Sequence, residues 1–211
     1  MKAVIFDVDG TILDTERIYI WAWQKAAAEM GFTLTMDTLM KTRAIPSDKA
    51  RLIMEEAIPG FPFEEVRKER VRLAEEEFEK NGILIKPGFH TLMAVIKEKN
   101  FPCAVASSTA RDKTIHHLNI AGIIDRFGAI VGGDEVENGK PSPDIFLKAA
   151  EKLGVRPEDC IVIEDSKAGL KGAKAAGMLP VMVPDIVKPD EEIRSIAAYI
   201  FENLEEVSEI L

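Results

Sequence analysis

The stretch AVIFDVDGTILDTE, residues 3–16, decides the fold of this chain. Four apolar residues, AVIF, run directly into Asp7 and Asp9, and Gly10 and Thr11 follow at once. A short continuous apolar run is typical of a strand that is buried on both faces. Because side chains at positions i and i+2 of a strand point to the same side, the pattern predicts both carboxylates at one spot beyond the end of a buried strand.

Similar apolar runs recur along the rest of the chain, and helical patterns separate most of them. They span 103–106, 129–131, 160–163, 180–183 and, more weakly, 197–201. Alternation of strand and helix predicts an α/β fold, a Rossmann-like doubly wound parallel sheet with helices on both faces. In such sheets ligands bind beyond the carboxyl ends of the strands, which is where Asp7 and Asp9 are expected.

Residues 15–85 interrupt this alternation, because they contain helical stripes and no convincing strand. One amphipathic stripe ends near Gly31, and another runs from Phe63 to Phe78 before Asn81 and Gly82. The chain is therefore expected to form an α/β core domain from residues 1–14 and 86–211, with an α-helical domain inserted at 15–85.

Composition excludes several classes of protein. Hydrophobic residues make up 46% of the 211 residues, enough for a proper core, and the formal net charge of −9 argues against general affinity for nucleic acid or an anionic membrane. The two cysteines, Cys103 and Cys160, are expected to be buried thiols of a reducing compartment. With no signal peptide, membrane span or long apolar seam, we expect a cytoplasmic monomer.

The pair Asp7 and Asp9 needs a cation, a shared proton or strand curvature, since close carboxylates repel each other. Mg²⁺ suits such a site, because it prefers hard oxygen ligands and leaves positions for water and phosphate oxygens. Gly10 lets the backbone approach a ligand closely, and Thr11 offers its hydroxyl and amide to a phosphate. The competing interpretation is a pair of solvated acids that caps a turn.

Three later segments add polar groups at strand ends or in the following loops. AVASST ends in Ser107, Ser108 and Thr109, whose hydroxyls and amides can hold phosphate oxygens; the alternative is an ordinary helix N-cap. NGKPSPDIF places Lys140 between prolines, although a lone lysine is normally solvated. IVIEDS ends a strand with Glu164 and Asp165. Together these segments supply the parts of a phosphoryl-transfer site.

The segments DVDGTILDTE, ASST, GKPSPDIF and IEDSKAGLKGAKAAG resemble, in this order, the four motifs of the haloacid dehalogenase superfamily. The resemblance spans nearly the whole chain. The helical insert resembles the small α-helical cap of the group that contains β-phosphoglucomutase and sugar-phosphate phosphatases. The resemblance implies covalent phosphoryl transfer on the predicted α/β core.

The resemblance also implies roles for individual residues. Asp7 corresponds to the nucleophile that forms an aspartyl-phosphate, and Asp9 to the general acid/base. Mg²⁺ would be bound by Asp7, the main-chain carbonyl of Asp9 and Asp165, with Glu164 in support. Lys140 would act in catalysis by offsetting charge between the phosphate and Asp7.

The same resemblance implies that Ser107 and Lys140 hold the phosphoryl group, beside the Gly10, Thr11 and Ser108 positions discussed above. The expected substrate is a small phosphorylated metabolite, with no nucleic-acid or membrane partner. Dehalogenation is disfavoured, since only phosphoester cleavage needs a second acid to protonate an alkoxide leaving group. A catalytically idle binding protein would be expected to have lost one of the key acids, which are all present.

A phosphatase is favoured over a hexose-phosphate mutase by two positions in the insert. β-Phosphoglucomutases carry a His early in the first cap helix, where this chain has Tyr19. Their cap arginine is displaced here, with Arg43 offset from the expected position near Ile45. Tyr19, Lys41 and Arg43 are the candidate substrate-selecting residues. The alternative, a β-phosphoglucomutase-type mutase, stays open.

Overall fold

A computed structural model describes residues 2–42 and 47–211. Its centre is a sheet of six parallel strands in the order β3-β2-β1-β4-β5-β6. The strands are β1 Ala3–Phe6, β2 Cys103–Ala106, β3 Ala129–Val131, β4 Cys160–Glu164, β5 Leu179–Met182 and β6 Tyr199–Ile200. The predicted parallel α/β sheet is thus confirmed, and each predicted run contains a strand.

The first strand lies in the middle of the sheet, between β2 and β4. Phe6, its last residue, pairs in register with Val105 and Ile163. Every residue of β1, β2 and β4 is buried, as the unbroken apolar runs predicted. Because the register is level, the residues that follow these three strands emerge side by side at one edge of the sheet.

Nine helices of more than five residues lie in the described part of the chain. They are α1 Glu16–Glu29, α2 Met36–Lys41, α3 Ser47–Ala57, α4 Phe63–Asn81, α5 Phe89–Glu98, α6 Arg111–Ile120, α7 Asp144–Leu153, α8 Lys167–Ala175 and α9 Glu191–Ile196. The core of the sheet is formed by small and branched side chains on which α7 packs through Phe146 and Ala149. Close packing here fixes the sheet edge that carries the polar residues.

The chain divides into two compact units, Met1–Asp14 with Ile83–Leu211, and Thr15–Gly82. The second boundary falls three residues before the predicted one at 85, because residues after Gly82 pair with the first connection. Leu13 forms an antiparallel bridge with Ile85, and the N–H of Lys86 donates to the carbonyl of Ile12 at 2.8 Å. These backbone bonds place residues 83–86 in the sheet-containing unit.

The unit Thr15–Gly82 is helical throughout its ordered elements. Helices α1 and α4 pack along each other, burying Ala22 and Ala26 from the first and Val66 and Phe78 from the second. The remaining faces of α4 carry charge, for example the exposed pair of Arg67 and Glu64 at 2.9 Å. An amphipathic pattern with a period of 3.6 residues therefore predicted the buried face of α4, from Phe63 to Phe78, correctly.

Cys103 and Cys160 are free and buried, as predicted. None of the helices within residues 2–42 and 47–211 combines the length and the apolar character that crossing a bilayer requires.

Candidate active site

The loop after β1 presents Asp7 at the sheet edge. The Asp7 amide donates to the carbonyl of Ile163 at 3.0 Å, which ties the residue to β4. Gly10 then turns the chain with a φ of +85°, in the left-handed region that favours glycine. A Cβ at this position would lie 2.7 Å from Oδ2 of Asp165, so the close approach of this loop to β4 also requires glycine.

Lys140 reaches the same point from the loop that precedes α7. Its Nζ donates to Oδ1 of Asp7 at 2.6 Å, to Oε1 of Glu164 at 2.5 Å and to the carbonyl of Ala106 at 3.0 Å. Only 5% of the lysine side chain is exposed. All three donor protons of the ammonium are therefore used by groups at the ends of β1, β2 and β4.

Both carboxylate oxygens of Glu164 accept hydrogen bonds. While Oε1 accepts from Lys140, Oε2 accepts from the amide of Ser166 at 3.1 Å and from its hydroxyl at 2.8 Å. Ser166 also caps α8, since its Oγ accepts from the amide of Gly169 at 3.0 Å. A Cβ on Gly169 would lie 1.9 Å from Cδ of Glu164, so glycine is required where the carboxylate packs against the helix.

The carboxylates of Asp7, Glu164 and Asp165 form a buried cluster. Each offers one oxygen, and these oxygens all lie within 4.8 Å of one another. Burial raises the pKa of Asp7 to about 8, against the attraction of Lys140. Burial by itself would lower the pKa of Lys140, but Asp7 and Glu164 hold it above its usual range. With one ammonium against three acids, excess negative charge remains even when Asp7 is protonated, so a hard cation such as Mg²⁺ fits the cluster.

The hydroxyl groups predicted for phosphate binding lie in different surroundings. Ser107 is buried, and its Oγ accepts from the amide of Thr109 at 3.0 Å. The Thr109 hydroxyl donates to Oδ2 of Asp9 at 2.9 Å. Ser108 is exposed. Thr11 is buried, and its Oγ1 finds no hydrogen-bond partner among the described residues, so it has unused bonding capacity next to Gly10.

The candidate selecting residues belong to the helical unit. Tyr19 is buried, its ring lies edge-on to Phe78 at 5.6 Å between centroids, and the Arg70 guanidinium lies 4.1 Å from the ring centroid. Lys41 is exposed and pairs with Asp37 on its own helix at 2.6 Å. Arg43 lies outside the described residues. The ring of Tyr19 thus packs within the helical unit, Lys41 lies on an exposed helix face, and the role of both residues in substrate selection stays a prediction.

Two contacts near the site were not predicted from the sequence. The first is the hydrogen bond from the Thr109 hydroxyl to Asp9, because the sequence suggested this hydroxyl only as a phosphate contact. The second is the buried pair of Asp185 and Lys86, joined at 2.6 Å. A signal for Asp185 was present, because MVPD places an acid just after an apolar run, the pattern that identified Asp7.

Comparison with known proteins agrees with this geometry. A family model described as haloacid dehalogenase-like hydrolase matches residues 4–183. The "Phosphorylated carbohydrates phosphatase" of Thermotoga maritima is 34% identical over 178 residues, which cover 84% of this chain and 82% of that protein. The "Beta-phosphoglucomutase" of Bacillus subtilis is 36% identical over 194 residues, covering 87% and 83% of the two chains.

A solved structure extends the agreement to three dimensions. The crystal structure of CbbY from Rhodobacter sphaeroides in complex with phosphate superposes with a TM-score of 0.81 at 26% identity, over 98% of this chain and 96% of that one. The family match begins in β1 and ends one residue after β5, so it includes Asp7, Lys140, Glu164 and Asp165. The chain belongs to the haloacid dehalogenase-like hydrolase family.

Proposed function

We propose that this chain is a Mg²⁺-dependent phosphatase, which hydrolyses a small phosphorylated metabolite through an aspartyl-phosphate on Asp7. The observation that carries the proposal is the position of Lys140, whose buried ammonium lies 2.6 Å from Oδ1 of Asp7. A cation fixed beside a buried carboxylate at the mouth of a parallel sheet suits attack on an anionic phosphoryl group. The phosphatase and mutase names of the relatives support phosphoryl chemistry.

In the proposed first step, a carboxylate oxygen of Asp7 attacks phosphorus and the bond from phosphorus to the ester oxygen breaks. Asp9 gives its proton to the departing oxygen, which leaves as an alcohol. Thr109 restrains Asp9 for this transfer, because its hydroxyl donates to the Asp9 carboxylate at 2.9 Å. The product is an acyl phosphate on Asp7.

In the proposed second step, water attacks the phosphorus of the aspartyl-phosphate and the bond to the Asp7 oxygen breaks. Asp9, now ionised, takes a proton from that water. Inorganic phosphate leaves, and both aspartates return to their starting states. Lys140 offsets charge at Asp7 in both steps, since its ammonium stays within hydrogen-bond distance of the carboxylate.

Asp7, Asp165, Glu164 and the main-chain carbonyl of Asp9 are the residues that would hold Mg²⁺. When bound, the ion neutralises phosphate charge and polarises the phosphoryl oxygens. The proposed phosphate contacts are Ser107, Ser108, the Gly10 and Thr11 segment, and Lys140, which would exchange one of its three present acceptors for a phosphoryl oxygen. Support comes from the buried position of Ser107 and from the unpartnered hydroxyl of Thr11.

A hexose-phosphate mutase is the second candidate, supported by the 36% identity to "Beta-phosphoglucomutase". Tyr19 favours the phosphatase. The resemblance to mutases places a histidine there that controls the acid/base, whereas the Tyr19 ring is packed against Phe78 and Arg70 within its own helical unit. The phenol of Tyr19 thus stands where the resemblance to mutases implies an imidazole.

Turnover of a panel of small phosphate monoesters, including hexose 1-phosphates, tests the proposal. Free phosphate and isomerised product are both followed, with Mg²⁺ and with a trace of hexose bisphosphate as primer. We expect Mg²⁺-dependent phosphate release without isomer. Isomer formed faster than phosphate would establish the mutase, and no turnover of any monoester would contradict both candidates.

The helical unit Thr15–Gly82 is the proposed cap that selects the substrate, with Tyr19, Lys41 and Arg43 as its candidate residues. We further propose a cytoplasmic monomer without nucleic-acid partners, supported by the net charge of −9 and the two free thiols. Sedimentation equilibrium tests the oligomeric state, and a dimer would contradict this part of the proposal.

A further inference from the structure

A fourth buried carboxylate lies beside the acidic cluster. The chain leaves β5 next to β4, where the amide of Val183 donates to the carbonyl of Glu164 at 2.9 Å. Asp185 follows two residues later, and its side chain is 1% exposed. Its Oδ1 accepts from Nζ of Lys86 at 2.6 Å. Two residues outside the proposed machinery therefore place a buried ion pair at the same sheet edge.

The second oxygen of Asp185 lacks a donor. Among the described residues, Oδ2 has no hydrogen-bond partner, although it is fully buried. Its location is defined by Gly10: the point where a Cβ would stand on that residue is 3.3 Å from Oδ2 of Asp185 and 2.7 Å from Oδ2 of Asp165. Because both distances start from the same point, the unpaired oxygen is at most 6.0 Å from this carboxylate oxygen of the proposed metal site.

A buried carboxylate oxygen without a donor is costly, so such atoms commonly mark a bound water or ion. Mg²⁺ keeps several water ligands when it is held by one or two carboxylates. Nearby carboxylates that accept from such ligands orient them and strengthen binding of the metal. Asp185 Oδ2 has the chemistry for this task, because it is acceptor-only when ionised.

We propose that Asp185 is a positioning residue of the metal site, whose Oδ2 accepts a hydrogen bond from a water molecule bound to the cation at Asp165. Lys86 holds the Asp185 carboxylate in place by donating to its other oxygen, Oδ1. This inference rests on the metal site of the proposed function. Because the Asp185–Lys86 pair is neutral as a whole, its contribution is local hydrogen bonding and not added charge.

Titration of the metal-free enzyme with a divalent metal ion tests the inference without any substrate. Mn²⁺, which binds oxygen-rich sites, is titrated and followed by electron paramagnetic resonance, and Mg²⁺ is measured by competition. We expect one site in the wild type, loss of that site in Asp165→Asn, and binding weakened at least about tenfold in Asp185→Asn. The matched control is Asp190→Asn, which also removes a carboxylate that pairs with a lysine, Lys167. It should bind Mn²⁺ as the wild type does.

A double variant separates local hydrogen bonding from charge and folding. Lys86→Gln with Asp185→Asn keeps the wild-type net charge and places two amides there that are able to hydrogen-bond to each other. We expect the same loss of Mn²⁺ affinity, an unchanged melting temperature of the metal-free protein, and a smaller rise in melting temperature on adding Mg²⁺. If Asp185→Asn alone fails to fold, this variant decides the question.

The outcomes distinguish the two proposals. Wild-type affinity in the folded Asp185 variants, with binding lost in Asp165→Asn, would overturn the role of Asp185 and leave the proposed function intact. Absence of single-site binding in the wild type would overturn the metal site, and with it this inference.

Discussion

Two lysine–aspartate pairs of this chain have the same geometry and different surroundings. Lys140 lies 2.6 Å from Asp7 with 5% of its side chain exposed, whereas Lys41 lies 2.6 Å from Asp37 with 62% exposed. Exposed pairs contribute about 0–1 kcal/mol, because water solvates both charges. Removal of one partner from a buried pair costs about 3–5 kcal/mol. The contact distance therefore does not distinguish the proposed catalytic pair from the surface pair, and burial does.

Replacement of the aspartate in each pair should give the largest difference in activity between the two pairs. Asp7→Asn removes the proposed nucleophile, so we expect phosphate release to fall at least about 10⁴-fold. Asp37→Asn is the matched control and should retain wild-type turnover. A steady-state phosphate assay measures both, and activity of Asp7→Asn near the wild-type value would contradict the covalent mechanism.

The lysines of the two pairs provide the next contrast. Lys140→Met leaves Glu164 and Asp7 without their buried cation, and we expect kcat/KM to fall about 10²–10³-fold or more. The free energy of unfolding should fall by about 3–5 kcal/mol. Lys41→Met should change the free energy of unfolding by less than about 1 kcal/mol. Urea denaturation measures the free energy of unfolding of both variants. Equal losses of stability in the two variants would refute the distinction by burial.

The support of Glu164 by α8 predicts a smaller effect. Gly169→Ala forces a Cβ to 1.9 Å from Cδ of Glu164, so the carboxylate or the helix must shift. We expect a loss of about 1–3 kcal/mol in stability, typical of overpacking, and about tenfold or more in turnover. At Gly128 a Cβ would make only ordinary contacts of 3.5 Å or longer, so Gly128→Ala is the control. Unchanged turnover in Gly169→Ala would show that the position of Glu164 is unimportant.

The hydroxyl that restrains Asp9 predicts the smallest effect. Thr109→Val removes the donor at 2.9 Å while keeping the shape of the side chain. We expect kcat to fall about tenfold with little change in KM, because a hydrogen bond to a charged group contributes about 1.5 kcal/mol. Thr109→Ser should restore most of kcat. A loss confined to KM would assign Thr109 to substrate binding instead of positioning.

The sheet and the main polar residues could be predicted because they obey local rules. Apolar runs indicated six strands, and parallel strands bring their carboxyl ends together, which predicted that Asp7 and Glu164, far apart in sequence, would meet. The contact of Lys140 with Asp7 was implied by the family resemblance and not by a local rule. The domain boundary after Gly82 depends on a bridge between Leu13 and Ile85, which is a tertiary pairing that no local pattern contains.

Burial of individual polar residues could not be predicted in the same way. The burial of the Tyr19 ring against Phe78 was not predicted, because the pairing of α1 with α4 decides which face is covered. Asp185 carried the same signal as Asp7, an acid after a strand, but its pairing with Lys86 depends on two distant segments.

Direct detection of the phosphorylated aspartate tests the central claim. The enzyme is mixed with a monoester that it turns over, quenched in acid during the steady state and treated with borohydride, which reduces an acyl phosphate to an alcohol. Mass spectrometry of the peptide with residues 3–16 then locates the change. We predict conversion of Asp7 to homoserine in the presence of substrate and none without it. An unmodified Asp7 during continued turnover, or conversion of Asp9 instead, would contradict the account.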